Sequence, residues 1–391
     1  MGQVPPLNET AQSRPPAVSS SRADGPRPPA VAAPRGGHPH PTTKAARVVR
    51  VGDRIRPRAG HPRTGPHPQT HPHPRRHPLR LLLAALLTAA VVVPLAGAAR
   101  PPIPAPPPPA LPTLSSSTLH TVYAANRANA ARAAHMAAAH AAPHRSAADR
   151  ALAAPSRHLL AFDGRGAGRA TEVLGDLAHA HHIAVLVPGS DTSLDTYARF
   201  HRTAASLYAD LTHRAAPGTP VAVVAWLGYE TPATVSTTVT TTTRADEAAP
   251  RLRAFVRHLR AAAPATAHVS LLCHSYGSVV CGRAAPGLAA DDIALIGSPG
   301  SGADCAAALH TRARVWAARG SDDWVGHVPH VRTGLFGTTV GFGTDPVSAA
   351  FGARVFDAAG AGHSGYFTPG SASLANLARI TLDEPSEVTR A

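Results

Sequence analysis

The sequence predicts an α/β domain in which a mainly parallel sheet is covered by helices on both faces. From residue 158 onward, short apolar runs alternate with helix-like segments, which is the pattern of parallel strands joined by helical crossovers. One apolar run also ends in a serine that a helix-like run follows at once, so a reactive side chain stands at a strand end. In such sheets the strand ends of one edge carry the active site.

The first quarter of the chain has a different composition. Residues 1–100 carry 15 Lys and Arg against 3 Asp and Glu, whereas residues 101–391 carry 23 against 20. Most of the net charge of +15 therefore belongs to a tail, and it does not indicate a nucleic-acid partner. Residues 1–78 are rich in proline, arginine and histidine without apolar periodicity, so we expect disorder there. The histidines in this tail favour a solvated polyproline segment over a metal site.

Residues 79–99 form the one strongly apolar segment, and three arginines, Arg75, Arg76 and Arg80, precede or open it. Its unbroken part, residues 81–93, is short for a membrane span, and residues 96–98 give an Ala-Gly-Ala cleavage pattern. We expect a cleaved signal peptide, with an uncleaved membrane anchor as the alternative. In both cases the remainder is predicted to be secreted or otherwise extracytoplasmic.

The rest of the chain divides into three segments. Residues 100–120 are a proline-rich linker, and residues 121–157 are an alanine-rich helical arm with a break near Pro143. Residues 158–385 make the α/β domain. Its expected strands are 158–162, 171–174, 183–187, 221–226, 269–272, 293–296, 315–317 and 353–356, the first two forming a hairpin at the sheet edge. Its expected helices are 195–214, 244–263, 276–285, 302–309 and 371–382.

The serine at the strand end is Ser275, in Cys273-His274-Ser275-Tyr276-Gly277. This is the strand–turn–helix setting of a nucleophile elbow, although Cys273 stands where the first glycine of G-x-S-x-G is usual. The tight turn strains the serine backbone and needs small neighbours, so the hydroxyl is lifted above the sheet edge. An ordinary strand-to-helix turn is the alternative for such a motif taken alone.

A serine hydroxyl is a weak nucleophile that needs a base, and the base needs an orienting acid. In this architecture the order is Ser, then Asp or Glu, then His. We assign Asp323, after the strand at 315–317, as the acid, and His363, after the strand at 353–356, as the base. Asp322 is the runner-up acid. The weaker candidates are Asp345 and Asp357 as acids and His327 and His330 as bases.

The oxyanion of a tetrahedral intermediate needs two backbone donors. We expect these to be the N–H of Tyr276, directly after the nucleophile, and the N–H of Ser190, in the Pro-Gly-Ser loop after the strand at 183–187. Ser298 is not a second nucleophile, because Pro299 follows it and no helix can start there as an elbow requires. The stretch after the strand at 221–226, through the threonine-rich run 234–243, either roofs the site or is a surface crossover.

Residues of about 158–382 resemble an actinobacterial alpha/beta-hydrolase family formerly catalogued as a domain of unknown function. The stretches that carry the resemblance are Val-Leu-Val-Pro-Gly at 185–189, Ala-Trp-Leu-Gly-Tyr-Glu-Thr-Pro at 225–232, His-Ser-Tyr-Gly-Ser at 274–278, Gly-Ser-Pro-Gly at 297–300, Gly-Thr-Asp-Pro at 343–346 and Phe-Gly-Ala-Arg-Val-Phe at 351–356. The resemblance implies a hydrolase fold and a Ser–His–Asp triad, and it implies no particular substrate.

The sequence thus predicts a secreted or envelope-associated serine hydrolase that cleaves carboxylic esters through an acyl-enzyme intermediate. The alternatives are a serine peptidase or amidase, and a catalytically weak hydrolase-fold protein that binds a ligand. We expect a small-molecule or lipid ester as substrate, no cofactor, no metal, and membrane contact through residues 79–99 if they are not cleaved. Cys273, Cys281 and Cys305 allow one disulfide of open pairing, with buried free thiols as the alternative.

Overall fold

The computed structural model describes residues 103–328, 330, 332–335 and 338–391. The predicted tail at 1–78 and the apolar segment at 79–99 lie outside the described residues. Within the described part, no helix has the length and apolar character needed to cross a membrane.

Ten strands occur in the described chain. They are β1 His158–Asp163, β2 Arg169–Gly175, β3 His182–Val187, β4 Val221–Leu227, β5 His268–His274, β6 Asp292–Ile296, β7 Arg314–Ala318, β8 Arg332–Leu335, β9 Thr338–Gly341 and β10 Arg354–Val355. The six α-helices described are α1 Leu119–Ala139, α2 Pro143–Leu152, α3 Tyr197–Arg214, α4 Thr243–Ala262, α5 Tyr276–Ala284 and α6 Ala372–Thr381.

Eight strands form one sheet in the order β1-β2-β4-β3-β5-β6-β7-β10. β1 and β2 pair antiparallel, as do β2 and β4, and every other neighbouring pair in this sheet is parallel. The hairpin predicted at the sheet edge is therefore present, and the rest is the mainly parallel sheet that alternation of strands and helices predicts. β8 and β9 form a separate antiparallel pair.

The sheet has an apolar core on each face. Along β3, Val185 and Val187 pack in one core with residues of α4 and α5, while Ala184 and Leu186 pack in the other with residues of α3 and α6. All four side chains are almost fully buried. A strand covered on both faces reads as a continuous apolar run, which is why these strands were recognisable in the sequence.

The helical arm formed by α1 and α2 is fixed to the domain through Arg145. This side chain is only 3% exposed, and its guanidinium donates to both carboxylate oxygens of Asp195, at 2.9 and 3.0 Å. It also donates to the carbonyl oxygens of Gly164 and Gly166. The arm therefore reaches the loop that leads into α3, which begins close to the candidate site.

The structure differs from the sequence analysis in one predicted helix and one strand pair that was not predicted. The helix expected at 302–309 is only a short 3-10 turn, Ala306–Leu309. Gly300 and Gly302 have positive φ, and the N–H of Ala306 donates to the carbonyl of Phe351, so the segment follows the 342–351 loop and does not coil on itself. The β8–β9 pair was not expected, because its threonine-rich strands carry little apolar alternation.

Candidate active site

The nucleophile turn joins β5 to α5, with Ser275 as the residue between them. Ser275 has φ 53° and ψ −126°, a conformation that non-glycine residues rarely adopt. Its N–H donates to the carbonyl of Ile296 on the neighbouring strand at 2.9 Å, and its carbonyl accepts from the N–H of Ser278 at 2.9 Å. The surrounding structure thus holds the strained backbone, as the sequence predicted for an elbow.

Two glycines allow the chain to pass close to this turn. A Cβ on Gly277 would lie 2.8 Å from the carbonyl oxygen of Pro188, and a Cβ on Gly189 would lie 2.6 Å from the Cβ of Ser275. Both distances are too short for real contacts, so neither position accepts a larger residue without movement. The loop after β3 therefore runs directly against Ser275.

A disulfide joins Cys273, the last-but-one residue of β5, to Cys281 in α5. Both cysteines are fully buried, and Cys305 is the remaining, free cysteine. Cys273 thus does more than substitute for the usual small residue of the elbow. It connects the strand before the nucleophile covalently to the helix after it.

His363 lies in the glycine-rich loop that follows β10. Its Nε2 is 3.0 Å from the Oγ of Ser275, and its Nδ1 is 3.0 Å from Oδ1 of Asp323. His274 helps to hold this loop, because its Nε2 lies 2.6 Å from the carbonyl oxygen of His363. A carbonyl only accepts, so Nε2 of His274 carries the proton. Burial first, and then the neighbouring His363, lower the pKa of His274 to about 4, so this ring is neutral.

Asp323 is 3% exposed and accepts three hydrogen bonds. They come from Nδ1–H of His363, from the Tyr366 hydroxyl at 2.6 Å and from the N–H of Val325 at 2.9 Å. Burial alone would raise the pKa of Asp323, but the bonds from His363, Tyr366 and Val325 outweigh it and lower the pKa. The carboxylate is therefore ionised and held in place beside the imidazole.

The structure brings Ser275, His363 and Asp323 together and leaves the other sequence candidates outside. Asp322 is exposed and lies near the Ser321 hydroxyl, at 3.1 Å. Asp345 is ion-paired with Arg319 at 2.6 Å. The remaining candidates have other surroundings: Asp357 accepts from the N–H of Ala359, His327 is exposed, and His330 lies 3.8 Å from Asp345.

Sequence reasoning missed Tyr366, whose hydroxyl donates to Asp323 and accepts from the N–H of Gly320 at 3.0 Å. Burial first, and then the hydrogen bond to Asp323, raise the pKa of Tyr366, so the phenol stays protonated as a donor. The aromatic residue three positions after His363 was visible in the sequence, but nothing there separates it from an ordinary core tyrosine.

The expected oxyanion donors lie in the loop after β3 and at the start of α5. Within the described chain, neither the N–H of Ser190 nor that of Tyr276 donates to a protein acceptor. Both residues line the same cavity as Ser275. Two unused backbone donors beside a serine hydroxyl are what a developing oxyanion requires.

The stretch from Trp226 to Pro232 fixes the loop that carries Ser190. The buried Tyr229 hydroxyl donates to the carbonyl of Pro188 at 2.7 Å. Thr231 and Thr192 exchange two hydrogen bonds, from the Thr192 N–H to the Thr231 hydroxyl and from that hydroxyl to the Thr192 carbonyl. Of the two sequence interpretations, a site element or a surface crossover, the contacts support the first. The stretch supports the loop, and Thr234, Val239 and Thr240 beyond it line the cavity.

The cavity above Ser275 has a volume of about 700 Å³. Apolar side chains supply much of its wall, namely Phe200, Leu272, Val325, Val328, Phe342 and Phe367. Trp324 also lines it, 53% exposed, with its ring centroid 4.8 Å from that of His363. The cavity can therefore hold an apolar group directly beside the Ser275 hydroxyl.

A second histidine–carboxylate group lies at the opposite end of the sheet. Single ligand atoms of His268, Asp292 and Asp383 fall within 4.8 Å of one another, a spacing that could hold a cation. Arg314, however, donates to both carboxylates, at 2.7 and 2.8 Å to Asp292 and at 2.5 Å to Asp383. Its guanidinium already supplies the positive charge that a metal would bring.

Two curated relatives are similar to this chain in sequence. Two uncharacterized proteins of Mycobacterium tuberculosis, one from strain CDC 1551 / Oshkosh and one from strain H37Rv, are each 31% identical over 258 residues. The match covers 57% of this chain, and the chain spans only 39% of the length of these relatives.

Among solved structures, a serine hydrolase without a lid from Xanthomonas campestris is 16% identical with a TM-score of 0.37, over 60% of this chain and 95% of its own. Esterase PE8 is 18% identical with a TM-score of 0.36, over 53% and 95%. Residues 163–333, which include Ser275 and Asp323, match the family described as alpha/beta hydrolase, and this match supports a hydrolase.

Proposed function

We propose that this protein is a serine hydrolase that cleaves carboxylic esters through an acyl-enzyme intermediate. The observation that carries the proposal is the chain of contacts from the Ser275 hydroxyl to Nε2 of His363, at 3.0 Å, and from Nδ1 of His363 to Asp323, at 3.0 Å. These are the roles of nucleophile, base and orienting acid, recognised by geometry and not by position in the sequence.

In the first half-reaction, the Oγ of Ser275 attacks the ester carbonyl carbon while its proton passes to Nε2 of His363. Asp323 stabilises the resulting imidazolium through Nδ1–H. The carbonyl oxygen becomes an oxyanion that accepts from the N–H groups of Ser190 and Tyr276. When the tetrahedral intermediate collapses, the bond from carbon to the alcohol oxygen breaks, and that oxygen takes the proton from His363.

In the second half-reaction, a water molecule gives a proton to Nε2 of His363 as its oxygen attacks the acyl carbon. The same two N–H groups donate hydrogen bonds to the second oxyanion. Collapse breaks the bond to the Oγ of Ser275, which recovers its proton from His363, and the carboxylic acid leaves. The enzyme returns to its starting state with one ester bond and one water consumed.

The cavity supports an ester with an apolar group, of lipid or envelope origin. Phe342 and Phe367 lie in its wall, and Trp324 stands half-exposed at its rim beside His363. An apolar chain buried there leaves water at about 25 cal/mol for each Å² of its surface, so longer chains should bind more tightly until the wall is filled.

We further propose that the protein acts outside the cytoplasm, as a secreted or membrane-anchored enzyme. The buried disulfide between Cys273 and Cys281 supports an oxidising compartment, and the apolar segment at 79–99 supports export. The intact mass of the protein recovered from culture medium tests this. A mass that corresponds to a chain starting near residue 99 supports cleavage. A membrane-bound form that retains residues 79–99 supports the anchor, and a protein found only in the cytoplasm contradicts export.

The test of the activity is covalent labelling with a fluorophosphonate, followed by rates on matched nitrophenyl esters and anilides of increasing chain length. We expect labelling of the wild type and of Ser364→Ala, since Ser364 is another serine that lines the cavity. Ser275→Ala should not be labelled. Hydrolysis of anilides faster than esters would favour the amidase, and a folded wild type that is neither labelled nor active would favour a binding protein.

A further inference from the structure

The wall of the candidate active-site cavity differs in chemistry from one segment to another. One part of the wall is apolar. The loop after β7 contributes Trp324, Val325 and Val328, Phe342 follows β9, and Phe367 lies in the loop after β10. The loop after β3, the start of α3 and the threonine-rich segment contribute mainly polar side chains, among them Thr192, Arg199, Thr203 and Thr234. A substrate that fills the cavity meets both an apolar and a polar surface.

Arg199, in the first turn of α3, is the one arginine or lysine that lines this cavity in the described chain. It is exposed, and no described carboxylate lies within ion-pair distance of its guanidinium. Among the described residues, the guanidinium makes one hydrogen bond, a long contact of 3.5 Å to the carbonyl oxygen of Asp191.

The acidic groups of the loop before α3 and of the candidate site have other partners. The carboxylate of Asp191 accepts from the N–H of Thr234 at 3.1 Å and from its hydroxyl. The carboxylate of Asp323 is buried and bound to His363 and Tyr366. Arg199 therefore presents a permanent positive charge, with free donors, to whatever enters the cavity.

The charge of Arg199 also reaches the reaction centre. Burial and the neighbouring His363 are the main causes of the lowered pKa of His274, which directly precedes Ser275. The positive charge of Arg199 is a smaller cause in the same direction. Arg199 and Ser275 line the same cavity, so a group bound to Arg199 shares that cavity with the ester that Ser275 attacks.

We propose that Arg199 selects esters that carry an anionic group, a carboxylate or a phosphate, in addition to an apolar chain. This inference rests on the proposed ester hydrolysis and names its substrate class. A planar guanidinium binds either anion through two parallel N–H···O bonds. The anion binds at Arg199, and the apolar chain lies along the wall that Trp324 and Phe342 form.

Two matched substrate pairs test the proposal. Nitrophenyl adipate, as its monoester, and nitrophenyl hexanoate have the same chain length, with and without a carboxylate on the acyl side. Butyrylglycerol phosphate and butyrylglycerol differ by a phosphate on the alcohol side. Rates are measured for the wild type, for Arg199→Gln and for Arg202→Gln. Arg202 is an exposed arginine on the same helix that does not line the cavity, so its variant has the same loss of charge.

We expect Arg199→Gln to raise KM for at least one anionic substrate and to lower its kcat/KM about tenfold, which is what one charged hydrogen-bonded contact contributes. The kcat for that substrate and both constants for the neutral partner should change little, and Arg202→Gln should resemble the wild type. Arg199→Lys should recover part of the loss, because the charge returns without the planar fork.

Equal effects of Arg199→Gln on the charged and neutral members of both pairs would overturn the inference while leaving ester hydrolysis in place. A wild type that hydrolyses neither member of either pair, and is not labelled at Ser275, would instead overturn the proposed function.

Discussion

The two ends of the central sheet each hold a histidine bound to a buried aspartate, and only one pair has the surroundings of a catalytic site. At the carboxyl ends of the strands, His363 binds Asp323 at 3.0 Å. At the amino ends, His268 binds Asp292 at 2.6 Å. Both aspartates are almost fully buried, and hydrogen bonds outweigh burial to lower the pKa of each.

The difference lies in the other partners of the carboxylates. Asp292 receives two bonds from Arg314 and one from the indole N–H of Trp316, so a permanent cation already balances its charge. Asp323 receives its other bonds from a phenol and a backbone N–H, which are neutral. The charge of Asp323 is therefore available to stabilise an imidazolium, whereas the charge of Asp292 is not needed for that purpose.

The second ring nitrogen of each histidine also differs. Nε2 of His363 faces the Ser275 hydroxyl, in a cavity. Nδ1 of His268 faces carboxylates, at 4.0 Å from Asp291 and 3.8 Å from Asp383. Three features thus make a histidine–aspartate pair a candidate catalytic pair. The other donors to the carboxylate are neutral, a hydroxyl lies at the second ring nitrogen of the histidine, and a cavity gives access to substrate. Without these features, such a pair is an ion-pair network that joins strand ends.

The largest expected effect is the loss of activity when Ser275 or His363 is replaced, compared with replacement of His268 at the opposite end of the sheet. Ser275→Ala, His363→Ala and the double variant should each lose several orders of magnitude in kcat and should be about equally inactive, because neither group acts without the other. His268→Ala should keep its kcat within a few-fold and lower Tm instead. The measurement is the rate on the best ester, with folding checked by circular dichroism. Losses of Ser275 and His363 that multiply would contradict a single unit.

The second prediction exchanges the charge of each aspartate for an amide. Asp323→Asn should fold and lose up to about 10⁴ in kcat, since the imidazole loses its orienting carboxylate. Asp292→Asn should keep kcat and lose roughly 3 to 5 kcal/mol of unfolding free energy, because Arg314 is left without its buried partner. Kinetics and urea denaturation of both variants separate the two roles.

Asp322→Asn is the control for the choice between adjacent carboxylates. The carboxylate of Asp322 is exposed, and its hydrogen bond is to Ser321 and not to His363, so its variant should differ from the wild type by no more than a few-fold in kcat. If Asp322→Asn lost more activity than Asp323→Asn, the assignment of the acid would be wrong.

The third prediction concerns the Cys273–Cys281 disulfide, which lies at the end of the sheet that carries Ser275. Replacing Cys273 and Cys281 by alanine should lower the unfolding free energy by about 2.5 kcal/mol, from the loop entropy that the cross-link removes from the unfolded chain. Dithiothreitol should lower the stability of the wild type similarly and leave the double variant unchanged. Cys305→Ala, which removes the free thiol, should be nearly neutral in the same denaturation experiment. A double variant as stable as the wild type would contradict a stabilising role of the disulfide.

The sequence was informative about the sheet and about where polar residues leave it. Strands buried on both faces are continuous apolar runs, so the ends of β5, β7 and β10 could be placed, and with them Ser275, Asp323 and His363. Their proximity in the structure agrees with that placement, while their catalytic roles stay predictions. The prediction of a helix at 302–309 was wrong. Its alanine content favours a helix, but glycines with positive φ and a hydrogen bond to Phe351 hold the segment in another conformation.

What the sequence could not supply were contacts between distant segments. The choice of Asp323 over Asp322 depends on which of two neighbours turns inward. The hydrogen bond from Tyr366 to Asp323 and the support of the Ser190 loop by Tyr229 join residues about 40 positions apart. The Cys273–Cys281 pairing needs a strand and a helix whose Cα atoms stand 6.4 Å apart, which no spacing of cysteines indicates.

The smallest expected effect compares a partly buried histidine at each end of the sheet through the pH dependence of stability. The pKa of His274 is lowered to about 4, by burial first. In the unfolded chain a histidine takes up a proton below about pH 6.5, but folded His274 does not until about pH 4. Its contribution is therefore fully present above pH 6.5 and is lost as the pH falls toward 4, by about 2 kcal/mol at pH 5.

His274→Gln keeps an N–H donor for the carbonyl of His363 and cannot titrate, so its Tm should fall less than that of the wild type between pH 7 and pH 5. At the amino end, burial first and then His268 also lower the pKa of His182, whose Nδ1 lies 3.2 Å from the carbonyl of Thr381. His182→Asn should therefore also reduce the fall in Tm between pH 7 and pH 5, by a smaller amount than His274→Gln does. Differential scanning calorimetry across this range measures both, and an unchanged slope in His274→Gln would contradict a neutral His274 beside the nucleophile.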